Sequence, residues 1–273
     1  MGEPATELAV SVDSGVAVVT LDRPGRRNAL TGGLMTALAA AMAELDADDA
    51  VGAIVLTGRD PAFCAGLDLS ELSSTAANLW VDETGRPWPP LGTPVIGAVN
   101  GPAVTGGLEL VLHCDLAIAS ERATFADTHT RIGVMPGWGL SVLLPQAVGL
   151  RRARQMSFTG NYVTAGQALQ WGLVNQVVPH AELLAVAAGL AGDICSNDRR
   201  AVRTLRALYD DNAADANAAG LAREYRLARQ WRDEAFTPEV AKDRRAAIVT
   251  RGRAQNPPPA AAPAPAPAHD STL

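Results

Sequence analysis

Apolar residues alternate with small and polar ones over 7–12 (ELAVSV) and 15–21 (GVAVVTL), on either side of a DSG turn, and this predicts a β-hairpin. From Thr31, whose hydroxyl suits an N-cap, LMTALAAAMAEL places apolar residues at helical spacing to about Leu45. The short apolar run AIVLTG (53–58) predicts a buried strand leading into the loop RDPAFCAGLDLSEL. Residues 72–93, which include Trp80 and Trp88, lack a periodic core face and read as an irregular binding loop. The order then repeats with a strand over 94–100, the turn GPAVTGG, a short helix over 108–114 and a strand over 115–120. Beyond residue 139 the periodicity is helical over 139–148, 150–158, 164–171, 179–194, 198–210, 217–234 and 238–252. Strands that alternate with helices, followed by a run of helices, predict an α/β core with a helical C-terminal part.

Composition sharpens this reading. The 273 residues, 48% of them hydrophobic, can bury a large core, which excludes a wholly disordered chain. The organisation expected is an α/β core over 1–198, a helical region of the same domain over 199–255, and a Pro/Ala tail over 256–273 that buries nothing and reads as disordered. The net charge of −6 conceals a division, −10 over residues 1–198 against +5 over 199–253. Nucleic-acid binding is not expected, because the acidic part repels phosphates and the basic part is spaced helically rather than clustered. Cys64, Cys114 and Cys195 are odd in number and widely spaced, which fits a reducing, cytoplasmic setting and neither a disulfide framework nor a zinc site. The four histidines lack ligand spacing, so no metal is expected. No apolar run approaches the ~18 residues of a membrane span, and the start lacks the pattern of a signal peptide.

Two glycine-containing loops follow buried strands, where α/β proteins place ligands: PAFCAGLDL (61–69) and NGPAVTGGLELVLHCDLA (100–117). In the second, Gly106 and Gly107 open a helix whose unpaired amides can face an anion or a polarised carbonyl. With the amide of Leu67 from the first loop, Gly106 can complete an oxyanion hole. Glycines that merely make tight turns are the alternative. No GxxxxGK[ST], GxGxxG or GxSxG motif is present.

Five blocks, LDRPGRRNALT (21–31), IVLTGRDPAFCAGLDL (54–69), AVNGPAVTGGLELVLHCDLAIAS (98–120), FADTHTRIGVMPGWG (125–139) and GLVNQVVP (172–179), resemble in order the signature blocks of the enoyl-CoA hydratase/isomerase, or crotonase, family. The resemblance spans about residues 7–253. It implies an α/β fold in a spiral of repeated ββα units, with C-terminal helices that form a homotrimer or a hexamer of two trimers. It further implies an acyl-CoA whose thioester oxygen rests on the amides of Leu67 and Gly106. CoA is then part of the substrate, and no separate cofactor is expected. The CoA moiety is expected along Ala65, Asp68, Leu69 and Gly107 and near Arg26, Arg27 and Ala29, with Arg251 of the last helix approaching its nucleotide. An ordinary solvated helix-end cation is the alternative for Arg251.

The resemblance makes Glu109, within the apolar run LELVLH, a catalytic carboxylate, where pattern alone favours the solvent face of a helix. Hydration in the family uses two glutamates, and the second falls by register on His129. An imidazole moves protons near neutrality but does not supply the same negative charge. His129 is therefore either a proton carrier or a hydrogen-bond donor lining the pocket, and Asp127 is a further candidate carboxylate. Trp138, in PGWG, either walls the acyl pocket or fills core. Trp80 and Trp88 are candidates for covering the acyl end.

The leading expectation is an enoyl-CoA hydratase that adds water to a 2-enoyl-CoA. His129 motivates the alternative of an isomerase or a thioester hydrolase working with one acid/base group. A non-catalytic acyl-CoA-binding protein on the same scaffold is the third reading, since fold alone does not prove activity.

Overall fold

A computed structural model describes residues 7–68, 70–71, 85–234 and 238–255. The first hairpin pairs β1 (Leu8–Asp13) with β2 (Val16–Leu21) antiparallel. Its two-residue turn, Ser14 and Gly15, has positive φ at both positions (50° and 81°), and this matches the twist of the flanking strands. From β2 onward the sheet is parallel, in the order β1-β2-β3-β4-β6-β9, through β3 (Ala53–Gly58), β4 (Val95–Val99), β6 (Leu116–Ser120) and β9 (Gln176–Val178).

Every residue of β3 and β4 is buried, because helices cover both faces. Ile54 and Leu56 point into the main core with Leu34, Met35, Leu38 and Met42 of α1 (Gly32–Ala47). Ala53 and Val55 point the other way, onto Ala187 and Ala191 of a C-terminal helix (Leu183–Cys195). The hydroxyl of Thr31 accepts from Leu34 N at 3.0 Å and so caps α1 as its sequence position predicts.

A second sheet of three short strands, β5 (Ala103–Val104), β7 (Thr124–Ala126) and β8 (Val163–Thr164), carries the connection to α2 (Gly106–Leu112) and α3 (His129–Ile132). The remaining helices are α4 (Leu140–Val148), α5 (Leu150–Thr159), α6 (Ala165–Trp171), α7 (Leu183–Cys195), α8 (Arg199–Glu234) and α9 (Pro238–Gln255). Residues 198–210 and 217–234, expected as two helices, fall, apart from residue 198, on the single 36-residue helix α8. The expected tail over 256–273, Leu69 and Trp80 lie outside the described residues. No helix among the described residues is long and apolar enough to cross a membrane.

Candidate functional site

The two glycine loops meet through backbone. Leu30 N donates to Gly66 O and Asp68 N donates to Leu30 O, both at 2.8 Å. Alternation along an extended segment therefore turns the Leu67 N–H to the other side of that ladder. Gly66 has φ +87°, and a Cβ there would stand 2.8 Å from Val104 O, so the first loop presses directly on the entry to α2. Thr105, immediately before α2, is held at φ 55°, and its hydroxyl lies 2.7 Å from that of Thr128. Strained backbone of this kind persists where the surroundings over-determine it. Gly106, the first residue of α2, has an N–H with no intrahelical acceptor. A Cβ on Gly106 would lie 3.8 Å from Gly66 Cα, which places the amides of Gly106 and Leu67 on neighbouring stretches of chain.

Gly107, expected on the substrate, is placed instead where α2 passes the first loop: a Cβ there would lie 2.3 Å from Cys64 O. Gly107→Ala is expected to push the two loops apart. It should lower stability by about 2 kcal/mol, as overpacking does, and turnover by about tenfold through misplaced donors. Thermal unfolding together with steady-state kinetics checks both.

Glu109 lies three residues after Gly106 on the same helix and is 2% exposed. Its Oε1 accepts from Trp138 N at 2.9 Å, and its Oε2 lies 3.5 Å from His129 Nε2. The other ring nitrogen of His129 is 2.6 Å from Asp127 Oδ1, which also accepts from the His129 amide at 3.1 Å. Strand β7 ends at Ala126, so Asp127 pairs with His129 through this local turn rather than by strand alternation. Burial opposes charge on His129, but Asp127 and then Glu109 outweigh it and push the imidazole up to about 10. Burial also works against charge on Asp127, yet His129 and its hydrogen bonds hold that carboxyl below its ordinary range. The centre is thus an imidazolium between two buried carboxylates, and Glu109 is the carboxylate on the helix that begins at Gly106.

Trp138 is buried beside this centre, its ring 3.6 Å from the Cβ position of Gly106. Trp88 packs edge-on against His113, with ring centroids 6.0 Å apart.

A cavity of about 340 Å³ opens next to the loops, lined by Ala65, Leu67, Asp68 and Thr105 and by Arg26, Arg27 and Ala29. Asp68 is tied to Arg23 Nη1 at 3.2 Å. Among the lining residues that sequence reasoning missed are Arg131, Tyr162, Arg245 and Arg253. The signal for the last two was present: Arg245, Ile248, Val249 and Gly252 recur at helical spacing and form one face of α9. Arg251 is off that face, and its guanidinium donates to Asn161 Oδ1 at 2.9 Å.

A family model described as enoyl-CoA hydratase/isomerase matches residues 11–239. The chain is 38% identical over 200 residues to the probable peroxisomal enoyl-CoA hydratase 1 of Arabidopsis thaliana, covering 72% of this chain and 76% of that one. It superposes on the crystal structure of enoyl-CoA hydratase from Mycobacterium tuberculosis H37Rv with a TM-score of 0.79 and 49% identity, over 84% of this chain and 100% of that one. It is also 37% identical over 185 residues to 4-chlorobenzoyl coenzyme A dehalogenase-1 of Arthrobacter sp, covering 64% of this chain and 67% of that one.

Proposed function

The chain belongs to the enoyl-CoA hydratase/isomerase family, and on that premise we propose that it adds water across the 2,3-double bond of a 2-enoyl-CoA. Its fold is the crotonase fold. The observation that carries the reading is Glu109, buried and held by the Trp138 amide on the helix that begins at Gly106. The amides of Leu67 and Gly106 donate to the thioester oxygen between them. The Glu109 carboxylate takes a proton from water as its oxygen bonds to the β-carbon, and the π electrons move to the thioester oxygen as an enolate. The enolate collapses as the α-carbon takes a proton from the Glu109–His129 pair, so one H and one OH have been added.

The CoA moiety fits the cationic cavity, whose Arg26, Arg27, Arg131, Arg245 and Arg253 suit its phosphates. CoA enters as part of the substrate, and the proposed steps draw on this chain's own side chains and amides. The assembly proposed is a homotrimer or a hexamer. Leu205, Leu208, Tyr209 and Leu227 of α8 are each more than half exposed, apolar surface that a neighbouring subunit would cover. A cytoplasmic setting is proposed because Cys64, Cys114 and Cys195 are all free thiols.

Purified protein offered a panel of 2-enoyl-CoAs of increasing chain length is expected to lose the conjugated-enoyl absorbance and form the 3-hydroxyacyl product. No hydration by protein with an intact Glu109 would sink the proposal. One observation favours a second reading: His129, 3.5 Å from Glu109, stands where hydration in the family uses its second glutamate, and this suits an isomerase or thioester hydrolase with one acid/base group. Exchange of α-protons with deuterated solvent in the absence of hydration would select it, as would a His129→Glu variant that gains hydratase activity.

A further inference from the structure

The peptide between Trp138 and Gly139 is held at both ends. Its carbonyl, Trp138 O, lies 2.7 Å from His113 Nε2, and because a carbonyl only accepts, that nitrogen carries the proton. Burial pushes His113 down to about 4, so it stays neutral and keeps this arrangement. The N–H of the same peptide, Gly139 N, donates at 2.6 Å to Oε1 of Glu224, a buried carboxylate of α8. The second oxygen of Glu224 accepts from Ser141 N, also at 2.6 Å. The preceding amide, Trp138 N, is the donor that fixes Glu109.

Gly139 has φ +82°, a conformation from which the 138–139 peptide can flip at little cost to the glycine. His113 and Glu224 oppose that flip from opposite sides. Two buried carboxylates thus accept from consecutive amides, and the charge of Glu109 adds to burial in raising the pKa of Glu224. A helix cap for α4 does not account for all of this, since a Ser or Asn at the cap position satisfies such amides without burying a charge from a distant helix.

We infer that Glu224 is a positioning residue for the reaction: it locks the Trp138–Gly139 peptide from α8 and thereby keeps the Trp138 N–H on Glu109 Oε1. This rests on the proposal that Glu109 carries the chemistry. Glu224 does not line the CoA cavity, so its effect falls on turnover and not on binding.

The test is Glu224→Gln in the full chain, beside Glu109→Gln and the double variant. The amide nitrogen of Gln would face a backbone N–H at 2.6 Å, donor against donor, and one clamp is lost. The result expected is a kcat for 2-enoyl-CoA hydration at least tenfold lower, with KM and the acyl-CoA dissociation constant within twofold. The double variant should be no slower than Glu109→Gln alone. Additive losses, an unchanged kcat, or a KM that rises with the loss of kcat would overturn the inference. If Glu224→Gln does not fold, Glu224→Asp, which keeps the charge but withdraws it by one methylene, reads the same split. Wild-type protein that hydrates nothing overturns the proposed function alone. The coupling is then read from α-proton exchange, and a Glu224 variant that exchanges as fast as wild type overturns it.

Discussion

Glu109→Gln is expected to lower kcat for hydration by about 10²- to 10⁴-fold, the range a positioned acid/base contributes. The dissociation constant for acyl-CoA should stay within about twofold. Gln is isosteric and its carbonyl oxygen still accepts from Trp138 N, so the PGWG turn keeps its anchor. What is lost is a group able to take the proton from water. The new NH₂ also confronts the Nε2–H of the imidazolium at 3.5 Å, where a carboxylate had balanced its charge. The cationic cavity is lined by other residues, so binding has no reason to move. Steady-state kinetics together with calorimetric titration of a saturated acyl-CoA separate the two quantities. A variant within tenfold of wild type in kcat would remove Glu109 from the chemistry.

The strands with strong apolar runs were legible in the sequence because fully buried strands need such runs: β3 and β4 lie where AIVLTG and PVIGAVN predict. The short strands β5, β7, β8 and β9, two or three residues each, were not, since so few positions carry no periodicity. Helix α8 was read as two pieces because DNAADA, at 211–216, holds Asp and Asn, which compete with the backbone for hydrogen bonds. Within the site, Leu67 and Gly106 stand out in the sequence because each lies in a glycine loop after a buried strand, whereas pattern alone puts Glu109 on a solvated helix face and only the family resemblance singles it out. Asp127 is a candidate in the sequence, but its pairing with His129 is not legible there, because the chain turns at Thr128 and the ring folds back onto its neighbour.

Glu224 was invisible in AREYRLARQW, where Arg223, Glu224, Arg226 and Arg229 together look like a solvated helix face. Its helical neighbours Leu221 and Ala228 form the stripe that packs inward, and a carboxylate inside such a stripe is the signal that went unused. Chain segments far apart in sequence thus converge on one short backbone turn, and local pattern does not report that convergence. The same limit applies to the contact of His129 with Glu109, which arrives from another segment, α2.

That charge has a large stability consequence. His129→Gln, neutral and similar in size, is expected to lower stability by about 3 to 5 kcal/mol near pH 6, because it leaves Asp127 and Glu109 buried without their cation. The pH dependence follows from linkage. His129 is raised in the folded state to about 10, above its ordinary 6.5. Its contribution is therefore fully present below about pH 6.5, where both folded and unfolded chains bind the proton, and it is lost as pH rises through 10. Asp127 acts in the opposite sense: its folded pKa is lowered, so its contribution is present above its ordinary 3.8 and is lost as pH falls through the folded value. In the variant Asp127 no longer has its cation and takes up a proton more readily, which returns part of the lost stability in acid. The gap between wild type and variant should accordingly peak near pH 6, narrow on the acid side and close toward pH 10. Urea unfolding at pH 5, 6, 8 and 10 measures it directly. A gap that stays constant across that range would mean that folding leaves the titration of His129 unshifted and that its ring only fills space.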